Sequence, residues 1–125
     1  MKKPLATEHA LQCSLIDYLD LTARPNVYYF AIPNAGKRTP YAGAQMRAEG
    51  LRAGVADLIF MLPDGRCCWL ELKRSPRQKQ SIEQNYFEEI CKLLDHPYAV
   101  AHTFDEAVEI LRRWGVLPLL KEKPR

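Results

Sequence analysis

The stretch 54–73 limits the folds open to this chain more than any other. It reads Gly54-Val55-Ala56-Asp57, an apolar run over 58–62, the turn Pro63-Asp64-Gly65-Arg66, and then Cys67-Cys68-Trp69-Leu70-Glu71-Leu72-Lys73. An Asp-Gly pair between β-prone runs is the strongest short-range signal of a hairpin. The start of one strand of a hairpin lies beside the end of the next, so Asp57 is expected next to Glu71 and Lys73. Side chains two apart on a strand share a face. Glu71 and Lys73 therefore project together, and Leu70 and Leu72 point the other way. The expected product is two carboxylates and an ammonium gathered at the open end of a buried hairpin.

Two carboxylates at close range repel as anions unless a cation lies between them. A hard divalent cation with oxygen ligands, Mg²⁺ or Mn²⁺, meets that need. Such a cation polarises phosphodiesters and acidifies water, and a lysine beside it can orient water, take its proton or offset phosphate charge. The competing reading is structural. Asp57 would cap a strand end, and Glu71 and Lys73 would form a solvated pair of the common kind that contributes little.

These residues resemble a known family. Asp57 followed by Glu71-Leu72-Lys73 is similar to the core of the PD-(D/E)XK nuclease superfamily. Further segments resemble, in order and spacing, the VRR-NUC (virus-type replication-repair nuclease) family. They are Asn34-Ala35-Gly36-Lys37-Arg38, the run from Glu49-Gly50-Leu51-Arg52 to Asp57-Leu58, Pro63-Asp64-Gly65, and Ser81-Ile82-Glu83-Gln84. The resemblance covers about residues 5–114. Ala56 precedes the first acid where the superfamily name has proline, a variable position in such nucleases. The resemblance implies a restriction-endonuclease-like α/β core, with Asp57, Glu71 and the Leu72 backbone carbonyl holding Mg²⁺ or Mn²⁺ and Lys73 acting on water. It also implies that a first-helix glutamate, here Glu8, helps bind metal, and that a glutamine in the helix after the hairpin, here Gln84, points at the metal and water site. Small stand-alone members look like structure-selective nucleases that cut four-way junctions as homodimers.

A chain of 125 residues, 47% hydrophobic and 26% charged, has the size and composition of one globular domain. We expect a single domain with its core at about 5–114 and a basic tail at about 118–125. No apolar run approaches bilayer length, and Met1-Lys2-Lys3-Pro4-Leu5-Ala6-Thr7-Glu8 lacks an apolar signal region. A cytoplasmic protein of a bacterial or phage-infected cell is expected. Cys13, Cys67, Cys68 and Cys91 form no Cys-x-x-Cys pairs and are read as reduced, mostly core thiols.

The net charge of +3 says little about nucleic acid, but its distribution says more. Lys37, Arg38, Arg47 and Arg52 face one acid, Glu49, within 34–54, and Lys73, Arg74, Arg77 and Lys79 stand together without any acid. Both stretches flank the hairpin. Lysine and arginine on phosphates supply most nonspecific affinity for nucleic acid. Lys37, Arg38, Arg47, Arg52, Arg74, Arg77 and Lys79 are therefore the candidate DNA contacts, against the alternative of an ordinary solvated surface.

In chain order, Thr7 is the expected cap of a helix over 8–22 with an apolar stripe of Leu11, Leu15, Ile16, Tyr18 and Leu19. Glu8 falls in its first turn, where the helix dipole alone would explain it. His9 beside it is read as a surface histidine or a phosphate contact. Residues 27–32 read as a strand. Thr39-Pro40 starts a helix over 40–52 carrying Arg47 and Arg52, part of a basic wall of the cleft. Ser81 and Gln84 fit a capping box, which competes with a site role for Gln84. Ile82, Tyr86, Phe87, Ile90, Cys91 and Leu94 then form the apolar face of a helix that ends near Asp95. A strand over 98–101, with His102 structural at its end, leads to a second capping box at Thr103 and Glu106. That box opens a last helix stopped by Gly115.

The order α-β-α-β-β-α-β-α predicts a mixed sheet of about four strands with helices on both faces and the hairpin in the middle. The expected activity is metal-dependent hydrolysis of DNA, branched DNA favoured, by a homodimer. The rivals are a flap, nicking or other nuclease of a phage or repair system, and a non-catalytic DNA-binding module on a nuclease fold.

Overall fold

The structure is a computed structural model that describes residues 7–33 and 40–120, with side chains of the second segment described from 43. The expected contacts Lys37 and Arg38, the Thr39 cap and the basic end of the tail, 121–125, lie outside the described residues.

The elements follow the expected order: α1 (Glu8–Thr22), β1 (Tyr28–Ala31), α2 (Pro40–Ala48), β2 (Leu58–Met61), β3 (Cys67–Leu72), α3 (Ile82–Leu93), β4 (Tyr98–Ala101) and α4 (Phe104–Trp114). The sheet runs β1-β2-β3-β4, with the hairpin β2–β3 in the centre. β1/β2 and β2/β3 are antiparallel, and β3/β4 is parallel. A parallel pair needs a crossover, which α3 provides.

Alternation along the strands sorts side chains to two faces. Leu58, Phe60, Cys68, Leu70 and Leu72 are buried against Leu11, Leu15 and Leu19 of α1 and Ala107, Val108 and Leu111 of α4. On the opposite face Trp69 meets Phe87 of α3 edge to face at 5.0 Å, and Phe87 meets Tyr98 at 6.1 Å. The sheet thus has helices on both faces. Thr7 caps α1 by accepting from Ala10 N at 3.0 Å. Gly115, at φ +85°, ends α4. Among the described residues no helix is long and apolar enough to cross a membrane.

Three local expectations need correction. First, α2 stops at Ala48 rather than at 52, because Gly50 takes φ +107° and Leu51 N turns back to Met46 O at 2.9 Å, a glycine-dependent helix stop. Arg52 lies beyond the helix and donates to the Arg47 and Leu51 carbonyls. Second, α3 does not bury its whole apolar stripe. Phe87 and Cys91 turn towards the sheet, leaving Ile82 84% and Tyr86 68% exposed, with Leu94 exposed as well. Third, the α4 cap is half a capping box. Glu106 N donates to Thr103 Oγ1, but the Glu106 carboxylate turns to His102, accepting from its backbone N and pairing with its ring. The cysteines are all free thiols; Cys68 and Cys91 are buried, Cys67 is half-buried and Cys13 is exposed.

Candidate active site

The register of the hairpin builds the site. Leu58 pairs with Leu70, so the residue before β2 falls opposite the end of β3. Asp57 Oδ2 accepts from Leu72 N at 2.7 Å, and Asp57 O accepts from Ile32 N at 2.9 Å, which ties the residue to both neighbouring strands. Glu71 and Lys73 share the face that carries Trp69. Glu71 is 3% exposed and Lys73 5% exposed. A solvated surface pair is therefore excluded: both side chains are inside the protein.

Burial and proximity set the electrostatics. Desolvation, the neighbouring Asp57 and a hydrogen bond to it push the Glu71 carboxyl up to about 9, which Lys73 only partly offsets. Desolvation also raises Asp57, opposed by the Leu72 N–H, Glu71 and Lys73. The two carboxyls lie close enough to shift each other, so they titrate as a coupled pair rather than as independent groups. Glu71 Oε2 accepts nothing. It is the one buried side-chain polar atom without a partner among the described residues. Leaving such an atom unpaired costs about 1–3 kcal/mol. A hard divalent cation would occupy this oxygen and replace the proton that Glu71 retains, so the donor set fits Mg²⁺ or Mn²⁺. Among the described residues no cluster of three or more His, Cys, Asp and Glu side chains is assembled to hold a metal. The carboxylates in place are a pair.

Glu8 stands at the rim. Its Oε1 lies 3.4 Å from Arg74 N, and its charge raises both Asp57 and Glu71. Gln84 uses one atom for two contacts. Its Oε1 accepts from Ser81 N at 2.9 Å, closing the capping box, and from Lys73 Nζ at 2.8 Å. The capping box expected from the sequence is formed, and its glutamine oxygen also reaches Lys73.

A groove of about 460 Å³ opens from Asp57 along α1 and the end of β1, lined by Glu8, His9, Gln12 and Pro33. Gln12 was missed by sequence reasoning, although its place one helical turn after Glu8 is a usable signal. His9 faces this groove, and its Nε2 lies 3.5 Å from Cys13 Sγ. Arg74, Arg77 and Lys79 are exposed on the segment after β3, and Arg47 and Arg52 are exposed at and after the end of α2.

The architecture is shared with solved structures. One named "VRR_NUC domain protein" has a TM-score of 0.71 at 16% identity, covering 89% of each chain. Another, named "VRR_NUC domain", has a TM-score of 0.60 at 16% identity, covering 87% of this chain and 99% of its own. At that identity the likeness is one of fold, and the fold is the restriction-endonuclease-like α/β arrangement expected from the sequence. No protein-family model and no curated protein matches the sequence.

Proposed function

We propose that this chain is a metal-dependent DNA endonuclease that hydrolyses phosphodiester bonds, selects branched DNA, and cuts four-way junctions as a homodimer. The observation that carries this reading is the buried Asp57–Glu71 carboxyl pair, with one oxygen unpartnered, beside a buried Lys73 held by Gln84.

Asp57, Glu71 and the Leu72 carbonyl would hold Mg²⁺ or Mn²⁺, with Glu8 assisting from the rim. When bound, the cation supplies Lewis acidity, polarising the scissile phosphate and acidifying water. Lys73 has two ammonium hydrogens beyond the one given to Gln84. They orient the attacking water or steady charge on the phosphate, or the amine takes the water's proton. The water oxygen forms a new bond to phosphorus and gives up one proton, one phosphorus–oxygen bond to sugar breaks, and the leaving oxygen takes one proton from solvent, so the step balances. Arg47, Arg52, Arg74, Arg77 and Lys79, with Lys37 and Arg38, hold flanking phosphates. Replacing Lys73 with alanine is expected to abolish cleavage while DNA binding, read by anisotropy, persists. Normal turnover in that variant would refute the role given to Lys73.

A twofold dimer places two sites on opposing strands, which suits paired cuts. Exposed Tyr28, Phe30 and Met61 on one face of β1–β2, and Ile82 and Tyr86 on α3, support a protein contact. The test is incubation of a labelled four-way junction, the matching duplex and a flap in Mg²⁺ and in Mn²⁺, beside Asp57→Ala, with the mass in solution read by light scattering. Paired symmetric nicks on the junction alone, made by a dimer and lost in the variant, are expected. Cutting of duplex or flap instead would discard the junction preference, and a monomer with and without DNA would discard the dimer.

A further inference from the structure

We infer that Ser81 and Gly54 are positioning residues for Lys73, acting through Gln84. The inference rests on the nuclease reading for its kinetic consequence, but its geometry stands on the protein alone.

Lys73 leaves β3 at the last rung of the parallel ladder, its backbone N donating to Ala101 O at 2.9 Å. Its side chain is buried, so a bulk water shell does not set the direction of the ammonium. Gln84 Oε1 is its hydrogen-bond partner among the described residues. That oxygen is placed by two further contacts. Ser81 N donates to it, and Ser81 Oγ accepts from Gln84 N at 3.1 Å. The capping box therefore does more than end a helix. It fixes the first turn of α3 so that one carbonyl oxygen can bridge the helix N-terminus and the Lys73 ammonium.

Gly54 sets where that turn sits. It has φ +84°, and a Cβ there would fall 2.7 Å from Gln84 N and closer still to the Glu83 carbonyl group. The backbone before β2 and the first turn of α3 are thus in direct contact, which is possible only without a side chain at 54. Asp57, three residues further on, belongs to the carboxyl pair. One glycine contact couples the strand carrying an acid to the helix carrying the lysine's partner.

The test uses the full chain and four variants. In DNA-free protein the Lys73 ammonium should give a slowly exchanging ¹H–¹⁵N side-chain correlation, because it is buried and hydrogen-bonded. Ser81→Ala should broaden that signal. It should also lower the single-turnover rate at saturating DNA several-fold, with half-saturation unchanged. Ser81→Thr, which keeps an oxygen acceptor, should restore both. Thr103→Ala removes the equivalent cap of α4 and should change neither, which separates positioning from a general loss of stability. Gly54→Ala should act in the same direction as Ser81→Ala. Because a side chain at φ +84° also strains the backbone, Ser81 carries the test. An unchanged Lys73 signal and rate in Ser81→Ala would overturn the inference, as would equal losses in Thr103→Ala. If the wild-type protein cuts no DNA, the nuclease reading falls, and the Lys73 signal still decides the positioning claim.

Discussion

A carboxyl buried beside a second carboxyl keeps its proton far above the pH at which a free glutamate loses it. For Glu71 the ordinary value is 4.5 and the folded value about 9. Between these limits the folded, metal-free protein binds more protons than the unfolded chain, so its stability falls as pH rises. The stabilisation is complete below the ordinary value and is lost as pH passes through the folded one; Asp57 is shifted in the same direction. Calorimetry in chelator should therefore show Tm falling between pH 5 and 9, and Glu71→Gln, which cannot ionise, should remove most of that slope. A flat or rising wild-type profile would contradict the burial argument. Adding Mn²⁺ at pH 8 should raise Tm in the wild type, because a ligand that binds only the folded state stabilises it. It should do so less in Glu71→Gln.

The elements around this pair differ in how far they could be read beforehand. The hairpin was legible because a period of two, a Pro-Asp-Gly turn and three charged residues all point to one register, and the register alone sets Asp57 against Glu71. Thr7, Ser81, Thr103 and Gly115 were legible as helix ends because caps are local chemistry. The stop of α2 at Gly50 was missed, since a glycine in a helical pattern reads equally as a tolerated interior residue or as a terminus. The orientation of α3 was missed for a different reason. Its apolar residues span more than one face, and contact with Trp69 and Tyr98, distant in sequence, selects Phe87 and Cys91 over Ile82 and Tyr86. The double use of Gln84 Oε1 depends on the same long-range approach. Two glycines test this reading. Gly65 in the hairpin turn has φ +91° and open space around it, so Gly65→Ala should cost about 1 kcal/mol, the backbone penalty alone. Gly54→Ala adds a backbone clash to a similar penalty and should cost clearly more in urea denaturation. Equal losses would mean that α3 does not depend on the contact.

On the scale of the molecule, the acids lie at the open end of the central hairpin, and α1 lends Glu8, His9 and Gln12 to the adjoining groove. If Arg74, Arg77 and Lys79 hold phosphates, affinity for DNA must fall with salt. Removing one of them should weaken binding to all sequences alike and reduce the slope of log K against log salt by about one. Arg77→Ala tests this at an exposed side chain, and an unchanged slope would remove it from the interface. The central claim is that the Asp57–Glu71 pair and Lys73 form a metal-dependent hydrolytic site. It is tested most directly by the single-turnover cleavage rate of labelled DNA as Mn²⁺ is titrated from full chelation, in the wild type and in Glu71→Gln. The account predicts no cleavage in chelator, a saturable rise with Mn²⁺ in the wild type, and almost no rise in the variant. Cleavage in chelator, or a wild-type rate in Glu71→Gln, would contradict it.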